Sequence, residues 1–289
     1  MKEMDFPNST HRKRWIKSDR SGVEVFGGNG EVEDLEQTKE LVVRSCGSKI
    51  HKIGNALKYP KSVVLTAIAY IRRYFAVERL AGTDFSLTIL TALYLAGKVE
   101  EMPPSAKLQL NQRGVDMDEL CNIAKTKKRT PEMLKNESIR NEMKLLVALN
   151  FDLLCFHPLR PALGFLRVLK KTGNGSFPAA HALALEEAIY KKCIGCYLVR
   201  DFIFIYPPAF LGAVALFSAV RSLSIESAQK EPLLESVKTV VQDSIPLDDK
   251  KAIFNERLVE IADIIDSETT IEKNKEADQA YDSFFKRAT

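Results

Sequence analysis

The sequence is short of what most enzymes and all membrane-spanning helices require. It contains no GxxxxGK[ST] phosphate loop, no GxSxG elbow and no HExxH pair. Its four histidines (His11, His51, His157, His181) lie far apart and form no ligand spacing. No run of about 18 uninterrupted apolar residues occurs, so no membrane span is expected. The opening MKEMDFPNST has no apolar core, which excludes a secretory leader as an expectation and points to folding in the cytosol or nucleus. The five cysteines (Cys46, Cys121, Cys155, Cys193, Cys196) are odd in number and scattered, which suits reduced thiols rather than a disulfide framework. The formal charge of +4 is too small an excess to argue for a nucleic-acid binder.

What remains is helix. A length of 289 residues makes two domains the default, and 45% hydrophobic residues mark a globular chain. Residues 1–33 read as a polar extension with one short helix around Trp15. From Asp34, Val42, Cys46, Ile50, Ile53 and Leu57 recur at helical spacing. Pro60 ends that helix and opens the next, in which Val64, Ile68, Ile71 and Phe75 share a face. Thr83 or Asp84 can cap FSLTILTALYLAGKV, which is almost uncharged until Lys98 and must therefore be surrounded by other helices. A loop over 100–114, a short helix over 116–126 and a helix from Thr130-Pro131 to about Asn150 follow. The second half repeats the plan. Leu185, Ile189, Cys193 and Cys196 mark one helix, and Tyr206-Pro207-Pro208 opens the nearly uncharged AFLGAVALFSAV. Phe254, Leu258, Ile261 and Ile265 form a last apolar face. No segment reads as a strand. The expectation is an all-α protein built from a duplicated five-helix unit.

Several features tempt a chemical reading. Cys193 and Cys196 stand at a zinc or redox spacing, but they fall mid-helix without a second pair, where cysteine acts as a small hydrophobe. GGNG at 27–30 has neither a preceding strand nor a following helix and reads as a turn. HRKR at 11–14 is either a solvated charge run or a nuclear-import or phosphate-contact patch. No cofactor and no metal are implied. Two charges are more informative. Lys98 shares a helical face with Leu87, Thr91, Tyr94 and Leu95, and Glu142 sits inside the stripe of Ile139, Leu146 and Leu149. A buried unpaired charge costs several kcal/mol. Each must then be paired, or lie at the edge of a partner surface, or both. Lys98 also sits in the last turn of its helix, where a cation is favoured.

These residues carry a resemblance. LTALYLAGKVEE (90–101) resembles the cyclin-box signature, with Lys98 at its lysine. EMKLLVALNFDL (142–153) resembles the last helix of that box, keeping a glutamate nine residues before a phenylalanine, here Glu142 and Phe151. PKSVVLTAIAYIRRYF (60–75) and STHRKRW (9–15) are similar to the cyclin H branch, while HPLRPALGFL (157–166) and the YPP-opened helix are shared by the cyclin H and cyclin C branches.

The resemblance implies two tandem five-helix cyclin folds with flanking terminal helices. It sets an extension at 1–33, a first box at 34–156, a second at 157–250 and a helical tail at 251–289. It implies a non-catalytic subunit that grips a cyclin-dependent kinase and pushes the kinase's αC helix inwards. Lys98 and Glu142 would bond to kinase main chain beside that helix, and Leu95, Val99, Leu146, Phe151 and Leu153 would form its apolar seat. Trp15 would belong to a helix that packs beside the first box and supports activation. The implied partners are a kinase of the CDK-activating type, a RING-finger assembly factor as third subunit and the TFIIH core, in the nucleus, with no direct nucleic acid and no membrane. TKELVVRSCGSKIHKI lacks the Met-Arg-Ala-Ile-Leu pattern of cell-cycle cyclins, which puts substrate docking through that patch in doubt. The alternatives are a cyclin C-like subunit of the Mediator kinase and a TFIIB-like transcription factor, which would need a zinc ribbon and a strongly basic second repeat.

Overall fold

The computed structural model describes residues 6–16, 31–101, 131–172, 182–199, 201–225, 227–244 and 251–288. All regular structure among them is helical, with no strand. Two short turns, Phe6–Asn8 and His11–Trp15, precede eleven helices: α1 (Glu31–Ala56), α2 (Lys61–Val77), α3 (Phe85–Val99), α4 (Pro131–Ala148), α5 (Leu159–Thr172), α6 (Ala182–Leu198), α7 (Phe202–Ile205), α8 (Pro208–Arg221), α9 (Ser227–Ser244), α10 (Lys251–Glu268) and α11 (Ile271–Ala288). The short helix expected over 116–126, the GGNG turn, Cys121 and His181 lie outside the described residues. The chain divides into two compact units: Ser21–Cys155 with Ile271–Thr289, and Phe156–Thr270 with Met1–Arg20.

In the first unit, α3 packs against α1, α2 and α4, as its lack of charge demands. Asp84, not Thr83, caps it: its carboxylate accepts from the Leu87 N–H at 3.0 Å. The buried hydroxyls of Thr88 and Thr91 return to the carbonyls of Asp84 and Leu87, so they bury no unmet donor. α2 is buried along almost its whole length. It lies so close to α1 that a Cβ on Gly54 would stand 2.5 Å from a Val64 methyl. The stretch read as a C-terminal tail divides at Thr269–Thr270. Its second half, α11, lies along α1, with Tyr281 buried against Phe85 and the Lys49 ammonium 4.4 Å above the Tyr281 ring. The Ser45 hydroxyl donates to Asp278 at 2.6 Å.

In the second unit, α8 is the apolar centre and touches α5, α6, α7, α9 and α10. A Cβ on Gly212 would stand 2.7 Å from the Pro158 carbonyl oxygen, so glycine is what allows α8 to cross the start of α5. α10, the first half of the expected tail, packs here through Phe254, Leu258, Ile261 and Ile265. Asp266 accepts from Ser218 and from Lys192, joining α8, α6 and α10. Cys193 and Cys196 are core residues, and burial pushes the Cys196 thiol up to about 12, far from reactivity. The N-terminal turns belong to this unit. His11 accepts the Phe156 N–H at 3.0 Å, Phe6 meets Phe156 edge-on, and Trp15 lies 6.2 Å from Phe204. The expectation placed Trp15 in a helix beside the first box. The aromatic ring it meets is Phe204 of α7, which sequence periodicity could not pair with it. Lys13 and Arg14 are exposed, the solvated form of the basic run.

Candidate functional site

The site lies in the first unit, where the C-terminal end of α3 meets the C-terminal half of α4. Lys98 and Glu142, 44 residues apart in sequence, meet directly: the ammonium donates to the carboxylate at 2.5 Å. Their side chains are 46% and 14% exposed, so the pair sits at the rim of the unit with the lysine outward. The ammonium also stands 5.0 Å from the Tyr94 ring, one turn back on α3. The two charges thus answer each other, and neither is a buried orphan.

Beside the pair runs an exposed apolar stripe. Met143 and Val147, one turn apart on α4, are 59% and 61% exposed, and Phe151, just past the end of that helix, is 62% exposed. Val99, Leu146 and Leu153 are part-exposed around it. Leu95 is different. It is 2% exposed in the free chain. α3 is apolar on every side, and its pattern alone cannot separate the core face from the rim.

The backbone at the end of α4 explains how Phe151 is held outwards. Asn150 donates to the Val147 carbonyl and Phe151 to the Leu146 carbonyl, both at 2.9 Å, which is the paired bonding of a Schellman ending. Asn150 takes a left-handed φ of 52°, as asparagine tolerates. Phe151 continues at φ 55°, a costly conformation for a bulky residue. The chain then runs without regular structure through 152–154, held by α2. The Tyr70 hydroxyl donates to the Leu153 carbonyl at 2.8 Å, and Arg73 donates to the carbonyls of Asp152 and Leu154 at 3.0 and 3.4 Å. Glu100, just past α3, accepts from the Thr66 hydroxyl at 2.6 Å and pins that helix end to α2 as well. Burial pushes the Tyr70 phenol up and the Cys155 thiol up to about 11, so both stay protonated donors at neutral pH.

Met143, Val147, Tyr70, Arg73 and Glu100 are absent from the residues picked out in sequence. Met143 and Val147 carried a legible signal, an apolar pair at i and i+4 that falls outside the stripe of Leu146 and Leu149. The consecutive arginines of AYIRRYF, inside an apolar helix, were the signal for Arg73. Among the described residues no group of histidine, cysteine or carboxylate side chains is placed to hold a metal ion. No described helix is long and apolar enough to cross a membrane.

The first unit is thus all-helical among its described residues, with Lys98 of α3 and Glu142 of α4 joined at its surface. Residues 35–154 match the cyclin N-terminal domain family. It is 29% identical to Cyclin-C1-1 of Oryza sativa subsp. japonica over 59% of this chain and 58% of that protein. It is 27% identical to cyclin CCL1 of Saccharomyces cerevisiae over 70% of this chain and 48% of that protein. The chain thus spans about half the length of these curated relatives. Its fold is that of a chain in the CAK complex from Chaetomium thermophilum bound to ATP-gamma-S (TM-score 0.68, 15% identity, 98% of this chain and 86% of the other). It is also that of a chain in the yeast TFIIK (Kin28/Ccl1/Tfb3) complex (TM-score 0.55, 20% identity, 82% of this chain and 100% of the other). Cyclin-family proteins are regulatory partners of kinases rather than catalysts.

Proposed function

We propose that this chain is a cyclin H-like regulatory subunit that binds and activates a cyclin-dependent kinase of the CDK-activating type. The observation that carries this reading is the rim itself: the Lys98–Glu142 pair beside an exposed apolar stripe whose last member, Phe151, is held in a strained turn. A kinase helix laid on that stripe buries Met143, Val147 and Phe151. Its flanking main-chain groups take hydrogen bonds from Lys98 and give them to Glu142, adding no net charge. Pressing the αC helix inwards completes the kinase's own Lys–Glu ion pair and shapes its ATP site. The chain contributes docking energy and shape, and the kinase performs the phosphoryl transfer.

The likeness to the CAK chain extends over nearly the whole of this chain, terminal helices included, which favours the CDK-activating type. On this reading the subunit works in the nucleus, with a RING-finger third subunit and the TFIIH core. The identity to Cyclin-C1-1 of rice favours the second reading, a Mediator-kinase subunit. Affinity purification of the tagged full chain from nuclear extract decides between them. The expected result is a CDK-activating kinase that phosphorylates another kinase's activation loop only while the chain is bound. Recovery of a Mediator kinase instead, or of no kinase, overturns the proposal.

A further inference from the structure

We infer that Arg73, with Tyr70 one turn before it, is the positioning residue of this docking rim: from beneath, it fixes the left-handed turn that presents Phe151. The inference rests on the kinase-docking reading above. Arg73 is among the largest fully buried side chains of the protein. Burying a guanidinium is expensive unless its donors are met. Here the fork reaches the carbonyls of Asp152 and Leu154, and the Tyr70 hydroxyl takes the carbonyl of Leu153 between them. Three consecutive carbonyls are thus held from one helix, α2.

The held segment begins one residue after Phe151. A non-glycine residue keeps a left-handed backbone only where its surroundings over-determine it. On the α4 side the Schellman bonds do so, and Asp152 adds a bond to the Leu149 carbonyl at 3.0 Å. On the far side the restraint comes from Arg73 and Tyr70. Without it, Phe151 can relax to an extended backbone, which swings its side chain off the stripe of Met143 and Val147. A methionine would fill similar volume at a lower desolvation cost. It could not span two carbonyls, and nor could a lysine, which lacks the planar fork.

The test uses the full chain and the kinase subunit recovered with it. Arg73→Lys and Tyr70→Phe are each compared with Phe151→Ala and with the corresponding double variants. Three quantities are read: thermal midpoint, kinase affinity, and hydrogen exchange at the amides of 150–154 in the free chain. Arg73→Lys is expected to weaken kinase binding about tenfold and Tyr70→Phe about threefold. Both should speed exchange at 150–154, and both should lose most of their effect on binding in the Phe151→Ala background. Tyr70→Phe keeps the ring and its packing, so it supports the same measurements if Arg73→Lys does not fold. Wild-type affinity in the folded variants, or a loss undiminished when Phe151 is already alanine, overturns the positioning role. Wild-type affinity in Phe151→Ala itself overturns the docking reading instead.

Discussion

α3 and α8 are built alike and end differently. Each is free of charge until a cation in its last turn, and each places that cation over an aromatic ring one turn earlier: Lys98 over Tyr94 at 5.0 Å, Arg221 over Phe217 at 5.9 Å. Each cation then meets a carboxylate from a neighbouring helix, Glu142 on α4 and Asp263 on α10. The difference lies in what surrounds the carboxylate. Next to Glu142, α4 shows water Met143 and Val147. Next to Asp263, α10 shows Glu256, Glu260 and Ser267, a solvated acidic face. Behind that face Asp266 is occupied by Lys192 and Ser218. An ion pair at a helix end therefore says little about binding. The apolar surface beside it, which the fold leaves uncovered, is what marks a docking site.

The contrast can be broken most sharply at the first pair. Lys98→Ala and Glu142→Ala are expected to weaken kinase binding by about 2–5 kcal/mol, roughly a 30- to several-thousand-fold loss. Because the pair lies at the rim with Lys98 half exposed, folding stability should change by no more than about 1 kcal/mol. Calorimetric titration and thermal melts of the same samples test this, and normal binding by both variants would remove the site. Asp266→Ala should show the opposite pattern. It strands the Lys192 ammonium and the buried Ser218 hydroxyl, so stability should fall by about 1–3 kcal/mol in urea titrations while kinase affinity holds. Deleting residues 1–20 gives up a few aromatic contacts of about 1 kcal/mol each. It should lower kinase activation by more than it lowers the melting midpoint, and full activation by the truncated chain would reject a role for Trp15. Arg221→Ala is the smallest change: about 0–1 kcal/mol of stability and nothing in binding. A loss of affinity there would mean that α8 also ends in a docking surface.

The helical class was legible because apolar spacing, prolines and an N-cap agree on where helices begin. Pro60 stands immediately before α2, and Asp84 caps α3 as one of its two candidates. The Lys98–Glu142 relation was legible as a problem, two charges in apolar stripes, without its answer, since a stripe does not show which other stripe it faces. The burial of Leu95 was hidden for the same reason. The seat of Trp15 and the division of the tail depend on contacts between segments far apart in sequence, on which local pattern is silent. The tail does carry two separate apolar faces, Phe254–Ile265 and Ala277–Tyr281, with Thr269 and Thr270 between them. The turn at Phe151 was invisible because nothing in its composition distinguishes a left-handed phenylalanine from an extended one.

The contact between α1 and α11 sets an order of events in synthesis. Ser45 and Asp278 are 233 residues apart, yet they bond within one unit, and Tyr281 fills space against Phe85. A chain leaving the ribosome from its N-terminus can assemble α5 to α10 as soon as Thr270 emerges. It cannot close the unit begun by α1 until residues near 281 have been made. The unit encoded first is therefore completed last, and the faces of α1 and α3 that α11 covers stay open throughout that interval, when nascent chains are most prone to aggregate.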